Sequence, residues 1–238
     1  MICARSAVID SGVGGLSVLL RLKKEFPFCE FIYFGDNQNA PYGNRTFNDL
    51  YSKTLDNLAF VLSFNVDAIV VACNTISVSV LPSIRPFSPV PIFGIYPPVE
   101  REIMQNKSVL LLATDVTTSR FKGIKGVTAI GLSCLVKEIE ENLFSLNSIE
   151  INKFLPAHEK NFNTVILGCT HFNFIKNQIF NHFCPQKITS GVDSVIACLK
   201  NFLDHQKSLE KHYCFTVKFV GNNKFINEKF WSCISGEK

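Results

Sequence analysis

Apolar and polar positions follow two periods along this chain. Short β-branched and aromatic runs with polar or glycine tips predict strands buried on both faces. Stretches with apolar positions three and four apart predict amphipathic helices. Residues 6–9 are the first strand; they lead into Asp10-Ser11-Gly12-Val13-Gly14-Gly15 and a helix over 16–26, closed by Pro27. A strand over 31–34 ends at Gly35-Asp36, and the polar loop 37–45 precedes a helix over 47–64. The run 68–71 leads through Ala72 to Cys73-Asn74-Thr75, and the helix beginning near Thr75 is expected to stop at Pro82. Pro86, Pro89 and Pro91 punctuate a loop before a strand over 92–95. Tyr96-Pro97-Pro98 reads as a domain junction. Beyond it the pattern predicts strands over 108–113 and 127–131, a helix over 136–144 and a strand over 164–168 tipped by Cys169-Thr170-His171. A helix over 174–182, a short strand over 187–189, a helix over 192–205, a strand over 213–220 and a helix over 224–230 complete the chain.

Strands alternating with helices indicate a parallel α/β architecture. One stretch is used twice. An apolar run, one small residue, a cysteine and small polar residues occur at 68–75 and again at 164–171. Each half opens with a strand that has a polar tip and carries a later strand tipped by cysteine. The expected fold is therefore two pseudo-symmetric α/β domains with mainly parallel sheets and the active site in the cleft between them. Domain one is expected to span 1–96 plus a returning tail over 206–238, and domain two 97–205. In such sheets ligands sit beyond the carboxyl ends of the strands, which is where both cysteines fall.

Composition narrows the function classes. Hydrophobic residues are 47% of the 238, enough for real cores, and most of the 22 phenylalanines are expected to be core filling. The net charge is +4, but Lys and Arg are scattered, so nucleic-acid binding is not supported. No run of about 18 apolar residues exists, and Asp10 interrupts the N-terminal apolar run; neither a membrane span nor a signal peptide is expected. Nine cysteines, an odd number with no C-x-x-C, read as free thiols in a reducing, cytoplasmic compartment. Most are expected to be inert core residues. Only Cys73 and Cys169 sit at strand tips.

The glycine loop raises a rival. Gly12-Val13-Gly14-Gly15-Leu16-Ser17, with Asp36 at a later strand end, is similar to a dinucleotide fingerprint and would suit a nicotinamide oxidoreductase. Ser17 breaks the fingerprint, and Asp10 at the strand tip would repel a pyrophosphate. A tight turn without a ligand is the bland alternative for these glycines. Paired thiols at matching tips point elsewhere, to a proton acceptor on one side of a carbon and a donor on the other. An unperturbed thiol is only a few per cent ionised at neutral pH, so something must favour the thiolate. His171 is a candidate for Cys169, and Asp10 for Cys73 if the strand order brings them together. Two cysteines and one histidine lack zinc spacing, so no metal site is expected. A cysteine hydrolase would leave the second thiol unexplained.

Asp10-Ser11-Gly12-Val13-Gly14-Gly15-Leu16, Tyr33-Phe34-Gly35-Asp36, Pro41-Tyr42-Gly43, Val71-Ala72-Cys73-Asn74-Thr75 and Leu167-Gly168-Cys169-Thr170-His171 together resemble the glutamate racemase family. The resemblance runs from about Ala7 to the C-terminal helix. It implies interconversion of L- and D-glutamate without metal or other cofactor, in a homodimer, supplying D-glutamate for peptidoglycan. It implies that Cys73 acts on D-glutamate and Cys169 on L-glutamate, with Asp10, His171 and Glu140 assisting. It further implies Asp10-Ser11, Tyr42-Gly43, Asn74-Thr75 and Thr170-His171 as substrate-binding pairs. Aspartate and hydantoin racemases share the paired cysteines and are the related alternatives; the dinucleotide-dependent oxidoreductase is the more distant one.

Overall fold

The computed structural model describes residues 4–105, 108–156, 162–205, 215–222 and 224–236. The first half runs β1 (Ala4–Asp10), α1 (Leu16–Glu25), β2 (Cys29–Gly35), α2 (Phe47–Leu62), β3 (Ala68–Val71), α3 (Asn74–Ser79), α4 (Leu81–Ile84) and β4 (Ile92–Gly94). After α5 (Val99–Gln105) come β5 (Val109–Ala113), α6 (Asp115–Ser119), β6 (Val127–Gly131), α7 (Ser133–Glu141), β7 (Thr164–Gly168), α8 (Lys176–Phe183), β8 (Lys187–Ser190) and α9 (Val192–His205). The chain closes with β9 (Thr216–Val220) and α10 (Lys224–Ser235).

Two sheets form, in the orders β4-β3-β1-β2-β9 and β6-β5-β7-β8. Every strand pair in them is parallel. Written from the other edge, the second sheet is β8-β7-β5-β6, so each half lays down its four strands in the same spatial order. β9 is the addition that extends the first sheet. This shared order gives the pseudo-symmetry a topological basis where the two halves share little sequence outside the cysteine segments.

Burial explains why these runs are strands. β3, β5 and β7 are buried along their whole lengths, as strands covered on both faces must be. α1 buries Leu16, Val18, Leu19 and Leu22, and turns Arg21 and Lys24 away from the core. One apolar cluster runs continuously from Val8, Leu19 and Tyr33 through Leu110 and Leu167 to Trp231, so the halves share packing as well as a site. Among the described residues no helix is long and apolar enough to cross a membrane.

Local departures from the sequence reading have physical causes. Pro82 does not end the helix at Thr75; α3 breaks at Val80, and Pro82 sits in the first turn of α4, where its missing N–H costs nothing. α5 and α6 are too short to show a helical period, yet Thr114 caps α6 by accepting from Thr117 N at 3.3 Å. α7 begins at Ser133, ahead of the apolar positions Leu135, Val136 and Ile139 that betray it in the sequence. α10 continues to Ser235. Of the strand expected over 213–220, Tyr213 and Cys214 lie outside the described residues.

Candidate active site

The strand order brings the polar tips together. β1 lies beside β3 with Ile9 opposite Val71, so Asp10 and Cys73 leave neighbouring tips. β5 lies beside β7 with Ala113 opposite Gly168, so Thr114 and Cys169 do the same in the other sheet. Asp10, Cys73, Cys169, Thr170 and His171 are all buried, and Thr170, beside Cys169, bonds to Asp10 of the other half. The two thiols therefore occupy equivalent places, one per sheet, within a single enclosed site.

Side chains from both halves interlock there. Cys169 Sγ is 3.6 Å from His171 Nδ1, and His171 Nε2 is 2.6 Å from Glu140 Oε1. Glu140 reaches across to accept the Val13 N–H at 3.2 Å. Thr170 donates its hydroxyl to Asp10 Oδ2 at 3.3 Å, and Gly12 N–H donates to Asp10 Oδ1 at 3.0 Å. Tyr33, buried beside Asp10, donates to the Gly12 carbonyl at 2.7 Å. Cys73 donates to Ser11 Oγ at 3.8 Å. Glycine is needed at 12 and 14 for close approach: a β-carbon at Gly12 would collide with the Glu140 carboxylate, and one at Gly14 with the side chains of Thr170 and His171. The loop is thus filled by the other half of the protein. The Val13 N–H and the space that a dinucleotide's pyrophosphate would take are already used by Glu140.

Charges set the resting protonation. Burial alone would lower the pKa of His171, but the Glu140 carboxylate and the hydrogen bond to Cys169 overcome it and hold the imidazole well above its ordinary value. Burial pushes the Cys73 thiol up to about 12, and the neighbouring Asp10 carboxylate pushes in the same direction. The strand order does bring Asp10 beside Cys73, yet as a carboxylate it opposes the Cys73 thiolate that it was a candidate to favour. Burial also raises Asp10 itself to about 6, against the attraction of His171 and the Gly12 N–H.

That raised value has a stability consequence. A carboxyl with a folded pKa near 6 and an unfolded value near 3.8 favours folding fully below pH 3.8, and this is lost as pH rises through 6. Ionised Asp10 then costs roughly 3 kcal/mol at pH 7. Asp10→Asn keeps the acceptor for Gly12 and a partner for Thr170, and is expected to stabilise the fold by up to about that amount at pH 7 while losing activity. Urea unfolding at pH 7 and pH 4 checks it; the gain should be present at the first and mostly gone at the second.

The remaining site residues are placed unevenly. Thr75 Oγ1 meets Thr114 Oγ1 at 2.9 Å, and Thr114 donates to Thr117 Oγ1 at 3.0 Å, a buried hydroxyl cluster shared by the two halves. Thr114 and Thr117 escape sequence reading because α6 is too short to show a period; their one signal is that Thr114 follows a strand run, as Asp10 does. Asn74 Oδ1 is buried with no hydrogen-bond partner among the described residues. Tyr42 donates to Asp36 Oδ2 at 2.5 Å and accepts from Asn57 at 3.1 Å, so its hydroxyl is committed to its own half. Gly43 instead meets the second half: its carbonyl accepts from Val116 N at 3.1 Å, and a β-carbon there would strike Ser133 and Thr114. Among the described residues no cluster of three or more His, Cys, Asp or Glu side chains is placed to hold a metal ion.

A lone nucleophile is not what this arrangement builds. A thiol from each of two topologically matched sheets, with proton-bearing groups beside both, suits removal and return of a proton at one carbon, the chemistry of the racemase class. No family model matches the chain. Direct comparison is specific. The chain is 35% identical over 184 residues to a glutamate racemase of Aliivibrio fischeri, covering 72% of this chain and 70% of that protein. It is 32% identical over 212 residues to the glutamate racemase of Clostridium acetobutylicum, covering 83% of each. Among solved structures, glutamate racemase from Thermus thermophilus, in complex with β-chloro-D-alanine, matches with a TM-score of 0.80 at 27% identity, covering 98% of this chain and 92% of that one. The Francisella tularensis enzyme, in complex with D-glutamate, gives 0.77 at 25%, covering 97% and 94%. The chain belongs to the glutamate racemase family.

Proposed function

We propose that this protein interconverts L- and D-glutamate by two-thiol proton transfer at Cα, with no metal or organic cofactor. The observation that carries the reading is the matched placement of Cys73 and Cys169 at equivalent strand tips of two sheets with the same strand order. Cys169, hydrogen-bonded to the His171 imidazole, removes the α-proton of L-glutamate, and the Cys73 thiol delivers a proton to the opposite face. The reverse reaction exchanges their roles. A Cys73 thiolate at pH 7 would cost roughly 7 kcal/mol at a pKa of about 12. The substrate ammonium set against Asp10 offsets the carboxylate that raises this cost, so D-glutamate itself helps to activate its base. Asn74 Oδ1, buried and unpartnered among the described residues, is the natural second acceptor for that ammonium.

Deprotonating Cα builds negative charge on the α-carboxylate, which demands preplaced donors. Ser11 and the backbone N–H groups after the cysteines supply them, while the Thr75–Thr114–Thr117 hydroxyls suit a carboxylate at the substrate's far end. Tyr42 contributes through its backbone and Gly43 by letting the halves approach. The site is too well buried for a substrate to enter as it stands, so the halves must part and close again, excluding water. We take 1–96 with 206–238, and 97–205, as the moving bodies. An open cavity of about 570 Å³ beside Gly94, Tyr96, Pro97 and Val99, at their junction, leaves room for that motion. We further read the enzyme as a cytoplasmic homodimer supplying D-glutamate for peptidoglycan.

Circular dichroism during incubation with each enantiomer, after dialysis against chelator, tests the reaction. Glutamate is expected to exceed aspartate by about 10²-fold or more in kcat/KM, because the shorter acid leaves buried hydroxyls unpaired. Comparable values for the two acids would count against the glutamate assignment.

A further inference from the structure

The Cys169–His171 turn is held from the other half of the protein by a group that plays no part in the chemistry above. Ser17, in the first turn of α1, points its hydroxyl at two carbonyl oxygens: Gly14 at 2.8 Å and Thr170 at 3.1 Å. The same hydroxyl accepts from Asn173 Nδ2 at 3.1 Å, and that amide also donates to the Thr170 carbonyl at 3.1 Å. Thr170 O is thus gripped by one side chain from each half. The oxygen belongs to the planar peptide joining Thr170 to His171. Fixing it fixes the plane from which both side chains leave, one bonded to Asp10 and the other to Cys169 and Glu140. It also sets the position of Cys169, one residue earlier. Apolar packing between α1 and this turn would hold them together without choosing the tilt of that peptide; a shared carbonyl chooses it.

We propose that Ser17, with Asn173, is a positioning residue for racemisation: the pair clamps the Thr170 carbonyl and thereby aims Cys169 and His171 at the substrate's Cα. The inference rests on the two-thiol reading. Neither side chain belongs to the substrate-binding set, so the clamp acts on the transition state more than on binding. A displacement of about 1 Å at a reacting group costs on the order of 10²-fold in rate.

The experiment is steady-state racemisation by Ser17→Ala, Asn173→Ala, the double variant and Ser17→Thr, with Tm measured for each. Ser17 also borders a solvent-open recess of about 350 Å³, which has room for the extra methyl of threonine. The expected result is a kcat for Ser17→Ala lower by about tenfold or more with KM changed less than threefold, and near-parental kcat in Ser17→Thr. The double variant should fall short of the product of the single losses, because both groups serve one acceptor. A kcat for Ser17→Ala within twofold of the parent, whatever its Tm, overturns the proposal. So does a loss confined to KM, or one that Ser17→Thr shares in full. Should Ser17→Ala not fold, Asn173→Ala carries the same comparison. All these variants keep both cysteines, so failure here is distinct from failure of the two-thiol reading, which would show as racemisation by a cysteine variant.

Discussion

Cys73→Ala and Cys169→Ala are each expected to lose racemisation of both enantiomers by at least about 10³-fold, within the range that a missing general acid or base removes. The reason is stoichiometric: a proton must leave one face of Cα and another must arrive on the opposite face, so neither direction runs with one thiol. The two directions must also fall together, because the enantiomers are equal in free energy and their kcat/KM values stay equal in any variant. Serine is no substitute, since its hydroxyl is hardly ionised at neutral pH. Exchange separates the roles where turnover cannot. In D2O, Cys73→Ala should retain slow exchange of the α-proton of L-glutamate through Cys169, and Cys169→Ala should retain the opposite preference. Proton NMR of each enantiomer with each variant reads this directly. Near-parental racemisation by either variant would end the two-base mechanism for this protein.

Glu140→Gln is expected to lower kcat by roughly 10²-fold and to move the alkaline limb of the pH–rate profile to lower pH. The Glu140 carboxylate is the largest influence raising His171 against its burial, so a neutral amide lets the imidazolium lose its proton earlier. The sign for stability follows from the same raised value. The contribution of protonated His171 is fully present below its unfolded value of 6.5 and is lost as pH rises through the higher folded one. The deficit of Glu140→Gln should therefore be largest around and below pH 6.5 and shrink in alkaline solution. Because a neutral amide oxygen accepts from Val13 across the interface more weakly than the carboxylate does, the variant should open more readily, seen as faster amide exchange at Val13. An unchanged pH profile would remove Glu140 from the catalytic group and leave it as an interface residue.

Aspartate and glutamate differ by one methylene, and in the proposed reading the discrimination between them depends on hydroxyls that the chain order keeps apart. Thr114 and Thr117 meet Thr75 only because α6 of one half packs against α3 of the other. Ser17 is a similar case. In the sequence it is the residue that breaks a dinucleotide fingerprint, and in the fold it grips a carbonyl 153 positions away.

The apolar runs at 68–71 and 164–168, too short and too uniformly β-branched for helices, dictated buried parallel strands on their own. Each run's cysteine then had to emerge at a carboxyl-end tip. The same local chemistry made the Asp10–Gly15 loop a tight strand-to-helix turn. The direction of Asp10's influence was not local information. A carboxylate beside a thiol opposes the thiolate, and only the β1–β3 pairing establishes that the two are neighbours. The resemblance names Tyr42 with Gly43 as a substrate-binding pair; the fold adds that the Tyr42 hydroxyl is spent on Asp36 and Asn57, partners 6 and 15 positions away that no motif spacing connects. What periodicity and residue type determined was which segments end in reactive tips. What the tertiary structure alone decided was which tips face each other and what charge each one feels, because Coulomb interactions depend on separation through space and on burial rather than on distance along the chain.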